Sequence, residues 1–161
     1  MTELRRATLV YDGPLRWAST NKKLGMHWAE RMKATADMRL FAFTKARESG
    51  HVLPRLEAAH IVVRHEYKTG QLPDTDAPAL AVKALLDGLT DARVLPGDTG
   101  DHVLSISYLP AERSDRFALT LELIEDEPRV GHQPWSWRAS ARALRRALLL
   151  VTEAAMDEAT S

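Results

Sequence analysis

The sequence predicts an α+β fold, one domain over residues 1–161 built on a mixed β-sheet with element order β-α-β-α-β-β-α. Two observations lead there. Short runs rich in β-branched and aromatic residues are interleaved with longer helix-prone stretches, the pattern of a layered helix-and-sheet structure. A chain of 161 residues with 45% hydrophobic content supplies one core, and no repeat, low-complexity tract or linker divides it.

"RATLVYDG" ends on an Asp-Gly turn signal and reads as the first strand. A polar, basic loop then becomes a long helix, on which Trp28, Met32, Ala36, Leu40 and Phe43 recur at roughly helical spacing, with Gly50 as its stop. In "LEAAHIVVRHEYK" the consecutive Ile61, Val62 and Val63 predict a second strand buried on both faces. "APALAVKALLDGLTDA" is a helix whose core stripe is Val82, Leu85, Leu86 and Leu89. "HVLSISYL" and "RFALTLELIED" both alternate, and "PAERSD" between them suggests a hairpin. The alanine- and leucine-rich stretch 134–161 reads as a C-terminal helical extension.

The absence of cysteine excludes disulfides and thiolate metal sites. The start "MTELRRATLV" lacks a signal-peptide pattern, and the greasy run "ALLLV" is too short to span a bilayer, so the expectation is a cytoplasmic protein with no membrane partner. Net charge is zero but unevenly placed. Residues 1–60 hold eleven Lys/Arg against six Asp/Glu, while residues 61–130 hold seven against thirteen. A basic front precedes an acidic middle.

That acidic middle gathers aspartates around one lysine. Asp74 and Asp76 are two apart, so on an extended chain both carboxylates face one volume, which is costly unless a cation lies between them. The bland alternative makes Asp76 the N-cap of the following helix. At about 100° per residue Asp76, Lys83 and Asp87 fall near one line. This ridge is either an exposed Lys83–Asp87 ion pair or a lysine leaning back toward the "DTD" loop. "RVLPGDTGDHV" then delivers Asp98 and Asp101 on a glycine-flanked loop, where turn chemistry is the simpler role for Asp101. The spacing excludes an EF-hand, and no "GxxxxGK" loop is present for a bound nucleotide. Hard oxygen donors beside a lysine suit magnesium or manganese and phosphate chemistry, with a nucleic-acid phosphodiester as the better fit.

"DTD", "KALLDGLTDARVL" and "PGDTGDHV", with the earlier "STNKKLGMHWAERMKATADMR", resemble the RusA family of Holliday junction resolvases over about residues 7–125. The resemblance implies a homodimeric α+β nuclease of a bacterial or phage-infected cell that cuts four-way branched DNA. It implies Asp74, Asp76 and Asp98 as ligands of Mg2+, or of Mn2+, and Lys83 as the catalytic lysine. It also implies DNA contacts by Ser19, Asn21, Lys22, Lys23, Gly70 and Gln71. The chain departs from the family pattern at Ala77 (usually asparagine), at Gly97 (usually aspartate), at Arg93 (usually glycine) and in a longer spacer before the lysine. Two further readings remain: a non-catalytic DNA-binding relative, and a glycosyltransferase holding a sugar nucleotide through "DTD".

Overall fold

The computed structural model describes residues 5–12, 27–48 and 52–128. The predicted C-terminal helix, the helix stop at Gly50 and the loop bearing Ser19, Asn21, Lys22 and Lys23 lie outside the described residues. Described elements run in the order β1 (Arg6–Asp12), α1 (Trp28–Ala46), β2 (Ala59–Tyr67), α2 (Ala79–Asp91), β3 (Val103–Tyr108), β4 (Glu112–Arg113) and β5 (Ala118–Glu125). Together they form an α+β unit with a mixed open sheet and two helices.

Strand order is β1-β5-β2-β3, with β4 also on β2. β2 is the central strand, and Ile61, Val62 and Val63 are buried as its composition predicts. Because α2 lies between β2 and β3 in the chain, the two strands pair in parallel, the ordinary consequence of a helical crossover. β5 pairs antiparallel with the other edge of β2 and with β1. The expected β3–β5 hairpin is therefore overturned: β2 stands between the two strands. The intervening "PAERSD" is a crossing over the end of β2, held by Leu109 N donating to Val63 O at 2.9 Å and Ser114 N to Tyr67 O at 3.2 Å. Two of its residues form β4, which sequence reading took for turn.

One sheet face, carrying Ala7, Leu9, Ile61, Val63, Leu119, Leu121 and Leu123, shares a core with both helices. α2 enters it through Val82, Leu85, Leu86 and Leu89, as its periodicity predicts. α1 enters through residues other than those whose spacing marks the helix. Its buried positions are Ala34, Met38, Ala42 and Ala46, whereas Trp28, Met32, Ala36 and Leu40 are exposed and Phe43 is half-buried under the Arg47 guanidinium. The reason is close helix packing. A Cβ added to Gly88 of α2 would overlap the Arg39 carbonyl oxygen and come within 2.8 Å of Ala42 Cβ. Only a small side chain at the crossing, here Ala42, lets α1 approach that near. Arg39 clamps the crossing with two hydrogen bonds to Asp91, at 2.5 and 2.8 Å.

On the opposite sheet face His60 is buried yet satisfied. Its Nε2 donates to Asp126 Oδ2 at 3.3 Å and its Nδ1 accepts from the Ser105 hydroxyl at 2.8 Å. This ties the ends of β2, β3 and β5 together.

Candidate functional site

Asp74 and Asp76 follow the carboxyl end of β2 and precede α2, so they sit where loops at the ends of parallel strands form sites. The chain there is turned, not extended: Ala77 N donates to Asp74 O and Ala79 N to Asp76 O, both at 3.0 Å. The period-two argument for a shared face therefore does not hold at this pair. The N-cap alternative also falls, because the cap of α2 is Pro78 and no side chain bonds there. Both carboxylates are exposed, while Ala77 beside them is buried.

Lys83 projects from the second turn of α2. Its Nζ lies 3.3 Å from Asp98 Oδ2 and 3.6 Å from Asp87 Oδ1. The ammonium thus turns to the loop after α2 as well as to its own helix, instead of back along the axis to the "DTD" turn. Loop 92–102 makes this possible by anchoring Val94 and Leu95 in the core, with Leu56 N donating to Val94 O at 2.8 Å. Asp98 is thereby brought alongside the start of the preceding helix. The hydrogen bond that Lys83 donates to Asp98, then the Asp87 charge, push its ammonium above its ordinary value, which favours the charged form.

Sequence reading missed the residues beneath the "DTD" turn. His65 and Tyr67 continue the core face of β2 toward its carboxyl end and are buried. His65 Nε2 donates to Leu109 O at 3.0 Å, and its Nδ1 accepts from the Tyr67 hydroxyl at 3.4 Å. Burial pushes its imidazole below the usual value, opposed by the carbonyl of Leu109, the charge of Glu112 and the backbone of Thr75. Tyr108, at the end of β3, is raised first by burial and then by the Asp76 carboxylate. The signal for this group was available in the sequence: His65 and Tyr67 keep the two-residue phase of Ile61 and Val63.

Gly70 adopts φ +85°, the left-handed region that favours glycine, and its carbonyl accepts from Arg113 Nη2 at 2.7 Å. Gln71 follows it, exposed. Arg93 also has positive φ, +63°, just past the C-cap of α2. The glycine usual there in the family pattern is thus a conformational demand that an arginine meets at some cost. At Gly97 an added Cβ would lie 3.2 Å from the His102 ring, so an aspartate there needs that ring to shift slightly.

The donor set at Asp74, Asp76 and Asp98 is carboxylate only, which suits a hard divalent ion. Among the described residues no three His, Cys, Asp or Glu side chains are gathered closely enough to hold a metal ion. No helix among the described residues is long and apolar enough to cross a membrane. No protein-family model matches the chain, and no curated protein matches it.

Proposed function

We propose that the protein is a magnesium-dependent, RusA-like endonuclease that resolves four-way branched DNA as a homodimer, with manganese as the alternative ion. The observation that carries this reading is the Lys83–Asp98 contact at 3.3 Å. It joins two separate parts of the sequence motif, the lysine helix and the aspartate loop, which the resemblance assigns to one site. Asp74, Asp76 and Asp98, which are not gathered at one point in this structure, would have to close on the ion to hold it, and it would then polarise a phosphoryl oxygen and make water a better nucleophile. Lys83, kept charged by Asp98 and Asp87, offsets negative charge developing on the phosphate. Gly70 and Gln71, exposed near the turn, would meet the DNA backbone with Ser19, Asn21, Lys22 and Lys23.

Incubation with a synthetic four-way junction, with and without magnesium, tests this on a denaturing gel. The expected result is paired nicks that need the ion. Asp74→Asn, Asp76→Asn and Asp98→Asn should each lose cutting while keeping DNA binding. Equal cutting by all three variants would remove the site assignment. The departures at Ala77 and Gly97 favour one second reading, a non-catalytic DNA-binding relative, for which the junction is bound and left intact in magnesium.

A further inference from the structure

The outer face of α1 has no role in the site above. Trp28, Met32 and Leu40 are 65%, 64% and 63% exposed, with the exposed Ala36 between the last two. Four apolar side chains at successive intervals of four make one stripe, and large contiguous apolar surface on a helix marks an interaction site. We infer that this stripe is a self-docking surface, on which α1 packs antiparallel against α1 of a second copy of the chain.

Pattern and charge both select a second copy as the occupant. Met32 and Leu40 are equidistant from Ala36, so a two-fold axis at Ala36 sets Met32 on the partner's Leu40 and Leu40 on the partner's Met32. The small Ala36 lets the two helices come close at the axis. Lys33 and Asp37 lie along one edge of the stripe, and neither forms an ion pair with another described residue. Antiparallel packing keeps like edges together, which brings Lys33 near the partner's Asp37 and Asp37 near the partner's Lys33. The stripe is thus self-complementary in shape and in charge. The inference specifies the interface of the dimer proposed above, yet it rests on the α1 surface and stands whether or not the protein cuts DNA.

Sedimentation velocity on the full chain tests it. The parent should sediment as a dimer, and Leu40→Glu as a monomer that still unfolds cooperatively, because Leu40 is exposed on the single chain and only the interface's stabilisation is lost. Lys33→Glu and Asp37→Lys should each lose the dimer by facing like charges, and an equimolar mixture of the two should recover it, since every cross-pair is then opposite in sign. A monomeric parent, a Leu40→Glu dimer, or a mixture that stays monomeric would each overturn the inference. Junction cutting is scored in a separate assay, so loss of the dimer on Leu40→Glu supports the inference even with a chain that leaves DNA intact.

Discussion

The Lys83 ammonium is shared between Asp98 Oδ2, 3.3 Å away on the following loop, and Asp87 Oδ1, 3.6 Å away on its own helix. Of the two roles that the sequence leaves open for the lysine, the helical ion pair is present, and the second acidic segment it meets is the following loop, not the "DTD" turn.

Removing that charge should separate chemistry from stability. The pair is exposed, and such pairs contribute about 1 kcal/mol or less. Lys83→Ala should therefore melt close to the parent while junction cutting falls about a hundredfold, the usual scale for losing one charge-stabilising donor. A marked fall in melting temperature with normal turnover would make the lysine a structural residue alone.

Gly88 sits where the two helices cross most closely. Gly88→Ala places a methyl against the Arg39 carbonyl oxygen and Ala42, and the helices must move apart. The overlap outweighs alanine's better helix propensity, which is worth about 1 kcal/mol. A net loss of about 2 kcal/mol is expected from urea unfolding. An unchanged midpoint would show that the crossing yields easily.

Arg93→Gly should have the opposite sign. The left-handed conformation costs a residue with a side chain about 1–2 kcal/mol, and glycine returns part of that through its freer unfolded chain. A gain of about 0.5–1 kcal/mol is expected, with Arg93→Ala giving no gain. Equal stability in the two variants would remove the backbone explanation.

The buried His65 makes stability depend on acid. Its folded-state pKa lies below the ordinary 6.5, so the unfolded chain takes up the proton first as pH falls. The contribution is complete above 6.5 and is lost progressively below it, toward the folded-state value. Urea midpoints measured at about pH 7.5 and about pH 5.5 should fall with acid in the parent, and less steeply in His65→Gln, whose amide can still donate to the Leu109 carbonyl. An identical slope in both proteins would assign the acid sensitivity to other groups.

By itself the sequence determined the types of β1, α1, β2, α2, β3 and β5, the burial of β2 on both faces and the inward stripe of α2. Each of these is a local pattern: a β-branched run, or leucines at three and four, whose meaning does not depend on the partner it meets. Tertiary structure decided the rest. β3 and β5 look like a hairpin in sequence because alternation carries no information about which neighbour a strand pairs with. The helical crossover after β2 sets β3 parallel on one edge of that strand and leaves β5 to take the other. On α1, the spacing of Trp28, Met32 and Leu40 marked a helix but not its inward face; the close approach at Gly88 sets Ala42 at the crossing, and these larger side chains turn outward. Likewise the lysine and the second carboxylate loop were legible as chemistry. Their meeting was not, because fifteen residues separate Lys83 from Asp98 and only the anchoring of Val94 and Leu95 in the core brings that loop back along the helix.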